Sequence, residues 1–189
     1  MTEYELIKFK RGWHGGLKEN TICGPGATLN YTKIISEKLL ELIKKYNISS
    51  INDAGCGDRN WIKTIDLPIG TVYRGFDIVP RDETTIQFNI VTEILPTADL
   101  IICRFVLCHL TDDMITRALD NFKKSSCKYL LVNYSPRETN VDLKSAGNFR
   151  TVDITKPPFN FSVPLELFLE SPAEKITPVY AGLWDLSQL

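Results

Sequence analysis

The sequence lacks the features that would tie it to a membrane. No apolar run reaches the ~18 residues that a membrane-spanning helix requires. The first five residues are acidic and have no apolar stretch, so they do not resemble a secretory signal. We therefore expect a cytoplasmic protein with no membrane partner.

Patterns for metal sites and disulfides are also missing. The chain of 189 residues has two histidines and five scattered cysteines, an odd number, and no C-x-x-C pair. This is not the spacing of a structural zinc site, so no metal is expected. Free thiols are typical of a reducing compartment, which agrees with a cytoplasmic location.

An excess of positive charge is absent as well. Lysines and arginines number 22 and acidic residues 23, which leaves a net charge of −1. Such a chain has no long-range attraction for phosphate backbones, so nucleic acid is not an expected partner. With 43 % apolar and 24 % charged residues, the composition is that of one ordinary globular domain spanning 1–189.

The pattern that is present alternates strands with helices. Helical spacing of apolar residues predicts a helix over 29–46, and Thr111 is predicted to cap a second helix that ends near 124. Strands are predicted at 50–53, 72–77, 85–89, 100–103, 128–134, 165–170 and 181–186. This order predicts an α/β fold, a three-layer αβα sandwich around a mostly parallel, doubly wound sheet of seven strands.

The most informative segment follows the first predicted strand. It reads Asp53-Ala-Gly-Cys-Gly57, with a short helix expected before the next strand, and Asp77 closes that strand 20 positions after Gly57. Glycines let the backbone approach a ligand, and a carboxylate at this distance accepts hydrogen bonds from ribose hydroxyls. The spacing therefore predicts a site for a nucleoside.

Four segments, in order, resemble the motifs of class I S-adenosylmethionine-dependent methyltransferases. They are residues 53–57, Asp77, residues 88–90 and residues 98–110. Finer features are similar to a small bacterial and viral branch of that superfamily: residues 24–26, 56–61, 103–104, 128–131, 148–150 and 182–186. The resemblance implies a Rossmann-like fold whose last strand is antiparallel. It also implies S-adenosylmethionine as cofactor and S-adenosylhomocysteine as product.

The resemblance assigns roles around that cofactor. Asp77 would hold the ribose, residues 88–90 would bracket the adenine, and Asp53 would bind the amino group, with capping of a turn as the structural alternative for both aspartates. Position 89 is Asn where many relatives have Asp, and an amide oxygen still accepts from the adenine amino group. The implied cofactor residues are Trp13, Gly24, Asp53, Gly55, Cys56, Gly57, Asp77, Ile78, Asn89, Ile90 and Arg104.

Other expectations concern the neighbourhood of the cofactor. Arg59 replaces the usual third glycine, so a differently built turn is expected, with Asp58 or Asn60 touching the ligand. Arg104 is expected to bind a carboxylate of cofactor or substrate, or else to pair with Asp99 or Asp58. Residues 1–28 are expected to form a lid or arm. Thr28 or Asn30 is expected to cap the first helix, whose amide groups would face the methionine carboxylate.

Catalysis and substrate binding are less well marked. His109 or His14 is the candidate base, with packing or exposure as the alternative. A long polar segment, 135–158, is expected to contact a small acceptor such as a sugar through Asn140, Asp142 and Arg150, unless it is only a solvated loop.

The expected function is methylation of an oxygen atom on that acceptor. The alternatives are a cofactor-binding module without catalysis, a nucleic-acid or protein methyltransferase, and a nicotinamide dehydrogenase. Residues 103–106, Cys-Arg-Phe-Val, lack the Asn/Asp-Pro-Pro-aromatic signature of nucleic-acid amino methyltransferases. The absent third glycine argues against the dehydrogenase. Whether the chain is a monomer or a homodimer stays open.

Overall fold

The computed structural model describes residue 19, residues 21–170 and residues 178–189. Its sheet has seven strands in the order β3-β2-β1-β4-β5-β7-β6. Strand β7 is antiparallel to both of its neighbours, and the other pairings are parallel. The strands are β1 Ser50–Ala54, β2 Val72–Asp77, β3 Thr85–Gln87, β4 Leu100–Cys103, β5 Tyr129–Tyr134, β6 Glu166–Leu169 and β7 Tyr180–Asp185.

Two α-helices among the described residues cover opposite faces of the sheet. Helix α1, Leu29–Lys45, packs its buried face on Leu100 and Ile102 of β4. Helix α2, Asp112–Lys124, packs on the other face of the same strand, against Ile101 and Cys103. Alternate residues of β4 are therefore buried on both sides, as its continuous apolar run predicts. The expected three-layer sandwich is confirmed.

The helix starts follow the sequence. The Thr28 hydroxyl accepts a hydrogen bond from the Tyr31 amide at 3.4 Å, and the Thr111 hydroxyl accepts one from the Met114 amide at 3.4 Å. Both threonines are thus N-caps. No helix in the described part of the chain has both the length and the apolar character that a membrane span requires.

The connection between β1 and β2 differs from the prediction. A short helix was expected there, but the structure has a single 3-10 turn, Ile62–Thr64. Trp61 and Ile62 are buried on the α1 face of the sheet. Two large side chains therefore fill this part of the core without a regular helix.

The carboxyl ends of β1, β2, β4 and β5 meet at one edge of the sheet, where ligands bind in such folds. Segment 135–158 crosses the same edge. It is attached by backbone hydrogen bonds from Ser135 to Val152, which accepts at 2.9 Å, and from Arg150 to Cys108, which accepts at 3.0 Å. The fold thus brings the loops after these strands together.

Candidate functional site

A cleft opens at the carboxyl ends of β1, β2 and β4. Its volume is about 1090 Å³, counting the part that is open to solvent. Nine of the predicted cofactor residues line it: Asp53, Gly55, Cys56, Gly57, Asp77, Ile78, Asn89, Ile90 and Arg104. Gly24 is buried next to the 3-10 turn Pro25–Ala27 and does not line the cleft. Trp13 and His14 lie outside the described residues.

The glycine turn after β1 is held tightly. The amides of Gly55 and Cys56 both donate to the Phe76 carbonyl, at 2.7 and 3.1 Å. Gly55 has φ of 93°, and a Cβ there would lie 2.1 Å from Cγ2 of Val106. Any other residue would therefore be strained and would also displace the loop after β4. Glycine is required at this position by the fold as well as by ligand approach.

Asp77 joins the two strand ends. Its Oδ2 accepts from the Gly57 amide at 2.8 Å, and its Oδ1 accepts from the Val79 amide at 2.9 Å. Each carboxylate oxygen has a further lone pair, so the side chain can accept ribose hydroxyls while it holds the turn. Burial raises the pKa of Asp77. The capping bond and the place in the cleft are both present.

Asp53 is almost fully buried, with 3 % of its surface exposed. The Tyr73 hydroxyl donates to its Oδ2 at 2.7 Å. Burial raises the pKa of Asp53 to about 6, although the Tyr73 hydrogen bond opposes this shift. No described residue forms the predicted turn cap with the Asp53 side chain. A cationic group in the cleft would offset the cost of its buried charge.

Asn89 lies in the turn that follows β3. Its side-chain Oδ1 accepts from the Val91 backbone amide at 3.0 Å, and the backbone amide of Asn89 donates to the Glu93 carboxylate at 2.7 Å. The neighbouring ring of Phe88 packs edge-on against Phe76 with centroids 5.2 Å apart. The segment 88–91 thus forms one rigid wall of the cleft.

Position 59 keeps the turn that a glycine would form. Arg59 has φ of 58°, a left-handed conformation that glycine adopts readily. Its guanidinium pairs with Asp82, and this cation holds the pKa of that carboxyl well below its usual range. Glycine would also adopt this backbone conformation, and the expectation of a differently built turn stays a prediction.

Asp58 and Asn60, the two polar neighbours of Arg59, have different roles. Asp58 lines the cleft and accepts from the Thr21 hydroxyl at 2.8 Å. Asn60 instead donates to Glu19 and to the Ala27 carbonyl, each at 2.9 Å, and does not line the cleft. Only Asp58 is placed to touch a ligand.

Arg104 forms a buried ion pair that the sequence did not suggest. Its Nε donates to Oε1 of Glu170 at 2.8 Å, and the two side chains are 6 % and 0 % exposed. The guanidinium also lies over the Trp61 ring, 4.8 Å from its centroid. Asp99 and Asp58, the partners predicted for an ion pair, bind other groups. That prediction was wrong because Glu170, which lies 66 residues further along the chain, meets Arg104 only in the folded structure.

The amino end of α1 is already occupied. The Leu29 amide donates to both carboxylate oxygens of Glu19, at 3.0 and 2.8 Å. A carboxylate is favourable at this end of a helix. The predicted role of these amides, to face the methionine carboxylate, is thus filled by a side chain of the protein.

His109 lies between the cleft and segment 135–158. Its Nδ1 is 2.8 Å from the Asn148 carbonyl, so Nδ1 carries the proton and donates. In the neutral ring, Nε2 is then the basic nitrogen. Burial lowers the pKa of His109, which favours the neutral form at neutral pH.

The three predicted substrate residues stabilise segment 135–158. Asn140 donates to the carbonyls of Asp153 and Pro157, at 2.8 and 2.9 Å. Asp142 accepts from the Asp112 amide at 2.8 Å, and Arg150 pairs with Asp112 at 2.5 Å. None of the three lines the cleft. Arg150 lines a smaller second cavity, which the sequence gave little sign of.

Comparisons with known proteins bear on the fold. No family model and no curated protein matches the sequence. Among solved structures, magnesium protoporphyrin IX methyltransferase (ChlM) from Synechocystis PCC 6803 with bound SAM is similar, with a TM-score of 0.56 and 13 % identity over 97 % of this chain and 92 % of that one.

Two further solved structures are similar over most of the chain. The N-methyltransferase NodS from Bradyrhizobium japonicum WM9 gives a TM-score of 0.55 and 13 % identity over 82 % of this chain and 96 % of that one. The methyltransferase domain of bacterial CtHen1 gives a TM-score of 0.54 and 12 % identity over 84 % of this chain and 100 % of that one. Strand order, glycine turn and these likenesses agree: the chain has the fold of the class I S-adenosylmethionine-dependent methyltransferases.

Proposed function

We propose that the chain binds S-adenosylmethionine in the cleft and transfers its methyl group to an oxygen atom of a small polar acceptor, a sugar or glycan precursor. The observation that carries this proposal is the hydrogen bond from the Gly57 amide to Asp77, which joins two strand ends at the floor of one cleft. This arrangement supports a nucleoside site. The solved structures with similar folds include one with bound SAM and one with bound SAH.

The lining residues suit the separate parts of this cofactor. Asp77 offers oxygens to the ribose hydroxyls, and the wall at 88–91 offers an apolar surface to the adenine. Asp53, whose charge is costly when buried, would pair with the cofactor's ammonium group. Arg104 and Arg81 are the arginines in the cleft lining; Arg104 would face a carboxylate of the cofactor, while Glu170 takes part of its hydrogen bonding.

In methyl transfer of this kind, the main contribution of the protein is to hold the methyl donor and the acceptor in position. S-adenosylmethionine would supply an activated methyl group: a new bond from the acceptor oxygen to that carbon would replace the carbon–sulfur bond, whose electron pair would stay on sulfur. His109 would take the proton from the acceptor hydroxyl through Nε2, which is the basic nitrogen because Nδ1 donates to the Asn148 carbonyl. His14, which is outside the described residues, is the other candidate base.

The location proposed for this activity is the cytoplasm. All five cysteines are free thiols, which supports a reducing compartment.

Among the described residues, no cluster of three His, Cys, Asp or Glu side chains is placed to hold a metal ion.

Isothermal titration with S-adenosylmethionine tests the proposal directly. Wild-type protein should bind, and Asp77→Asn should weaken binding by at least about ten-fold, because a hydrogen bond to a charged group contributes roughly 1.5–3 kcal/mol. Asp120→Asn, on the exposed side of α2, is the matched control and should leave binding unchanged. Failure of the wild type to bind would overturn the proposal.

Turnover separates an enzyme from a cofactor-binding module. Labelled S-adenosylmethionine is incubated with a panel of neutral sugars and phenols, and transfer of the label is followed. Transfer that is lost in His109→Gln would support a base role. Tight cofactor binding without transfer to any acceptor would instead indicate the non-catalytic alternative.

A further inference from the structure

A second cavity lies beside the cleft, on the side of segment 135–158. Its volume is about 320 Å³ when the open mouth is counted, so a group held here would be only partly enclosed. It lies between the end of β5, the loop after β4 and residues 149–152. Phe105 lines both spaces, so this residue forms the wall that they share. A group held here would lie next to the cleft without occupying it.

Aromatic rings make up much of this cavity. Phe105, Tyr134 and Phe149 all line it. Phe149 is 63 % exposed, which the packing of the fold does not explain, and its ring centroid is 5.8 Å from that of His109. An exposed aromatic face beside a proposed base is a platform on which a flat apolar face can stack.

Two polar side chains are available at the end of β5. Asn133 uses its Oδ1 to accept from the Phe105 amide at 2.7 Å, while no described residue is bonded to its amide nitrogen. The Ser135 backbone amide donates to the Val152 carbonyl, and its hydroxyl has no partner within the described ranges. These groups offer hydrogen bonds suited to hydroxyls.

Asn133 also fixes the shared wall. Phe105 has φ of 51°, a left-handed conformation that is costly for a bulky residue. The hydrogen bond from its amide to Asn133 stabilises this conformation. Backbone strain of this kind is found where the surrounding structure holds a residue in a functional position. Asn133 is therefore both a candidate ligand contact and a positioning residue.

The charge of the cavity restricts what it can hold. Arg150 is the one charged side chain among the described lining residues; its Nη2 is paired with Asp112, and its buried Nε has no hydrogen-bond partner among the described residues. No described acid lines the cavity. A carboxylate, phosphate or ammonium group would be taken out of water here without a free counter-ion, which is costly. The cavity therefore favours an uncharged occupant.

We propose that this cavity holds the acceptor, and that the acceptor is an uncharged ring bearing hydroxyl groups. Its flat face would lie on Phe149, with its hydroxyls bonded to Asn133 and Ser135. This rests on the proposed methyl transfer and narrows its substrate class: charged acids, amines and phosphate esters are rejected. A sugar and a phenol share the required chemistry, and the experiment distinguishes them.

The first test uses protein saturated with S-adenosylhomocysteine, which cannot react. Saturation-transfer NMR measures binding of phenol against benzoate and benzylamine, and of methyl glucoside against methyl glucuronide. In the arm that matches the natural acceptor, the neutral probe should bind at least about ten-fold more tightly than its charged analogues, a difference of about 1.4 kcal/mol. Equal binding of charged and neutral probes, or binding of none, would overturn the proposal.

A variant tests the role of Asn133 directly. Asn133→Asp keeps an oxygen that accepts from the Phe105 amide, but the side-chain NH2 group is replaced by a second, negatively charged carboxylate oxygen. Compared with the wild type, the variant should bind the neutral probe more weakly and benzylamine more tightly. Asn47→Asp makes the same change at an exposed turn that lines neither space, and should change nothing.

The outcomes separate the two proposals. If S-adenosylhomocysteine itself does not bind, the methyltransferase function fails. If it binds normally but Asn133→Asp behaves like Asn47→Asp, only the assignment of the acceptor cavity fails.

Discussion

At the residue scale, the buried carboxylate Asp53 links cofactor affinity to pH. Its pKa is raised by burial from 3.8 to about 6. Above pH 6 the side chain is ionised and can pair with the ammonium group of S-adenosylmethionine; below it, the carboxyl is neutral. We expect the dissociation constant, measured by titration calorimetry between pH 5 and 8, to rise as pH falls through about 6. Asp53→Asn should bind more weakly and should lack this dependence.

The same shift has the opposite effect on stability. Because the pKa is higher in the folded state, the folded protein binds more protons than the unfolded chain between pH 3.8 and about 6. The contribution of Asp53 to stability is therefore fully present below pH 3.8 and is lost as pH rises through about 6. The free energy of unfolding of Asp53→Asn, relative to that of the wild type, should therefore increase as the pH rises from 3.8 to about 6. A difference that is flat with pH would contradict the assignment.

Comparison of alanine variants at Gly55 and Gly70 distinguishes the cost of backbone strain from the cost of a steric clash. Their φ values are 93° and 90°, but a Cβ at Gly55 would meet Val106 at 2.1 Å, whereas at Gly70 nothing lies within 4 Å. Gly70→Ala should cost about 1–2 kcal/mol of unfolding free energy, from the left-handed conformation alone. Gly55→Ala should cost at least about 2 kcal/mol more, because Val106 must move. Urea denaturation measures both, and equal losses would show that the contact is easily relieved.

At the element scale, segment 135–158 is ordered by bonds to α2 and to itself. Arg150 donates to the Val141 carbonyl at 2.8 Å and pairs with Asp112 at the start of α2. The guanidinium presents donors on three nitrogens in one plane, a geometry that the single nitrogen of a lysine ammonium does not reproduce. Segment 135–158 therefore depends on arginine at position 150.

This dependence predicts the effect of Arg150→Lys. The variant should lose about 1–3 kcal/mol of stability, because buried acceptors lose their partners. Trypsin should then cleave segment 135–158 sooner than in the wild type. Arg137→Lys, an exposed residue of the same segment, is the matched control. Similar cleavage rates for the two variants would mean that Arg150 does not hold the segment.

At the scale of the whole molecule, the Arg104–Glu170 pair joins the end of β4 to the end of β6. Glu170 is fully buried, and its Oε2 has no hydrogen-bond partner among the described residues. Arg104 also donates to the Gly26 carbonyl at 3.2 Å, so the segment before α1 is attached to the same pair. Two strand ends and the entry to α1 therefore depend on one buried ion pair.

Removal of either partner leaves a buried charge alone. Arg104→Leu or Glu170→Leu should each cost about 3–5 kcal/mol of unfolding free energy, and the double variant should be more stable than either single variant. Thermal and urea unfolding of the four proteins in a double-mutant cycle measure the coupling. Losses that simply add would show that the two residues act independently.

The sequence by itself determined the layers and the glycine turn. Apolar periodicity placed both helices and all seven strands to within about two residues, because a helix or strand must bury one face. The positions of Gly55, Gly57 and Asp77 followed from local spacing, since a turn between adjacent strands is built by neighbouring residues. Each of these features lies within one helix or strand, or within the unit formed by β1, the turn after it and β2.

Only the tertiary structure decided which distant groups meet. Arg104 and Glu170 are 66 residues apart, and Phe105 and Asn133 are 28 apart, so nothing in the local pattern pairs them. The polar residues of segment 135–158 looked like substrate contacts, yet their hydrogen bonds hold the segment in place. The cavity beside Phe149 exists because a crossing segment closes over the ends of β4 and β5. Packing of the whole chain sets that geometry, and no spacing along it does.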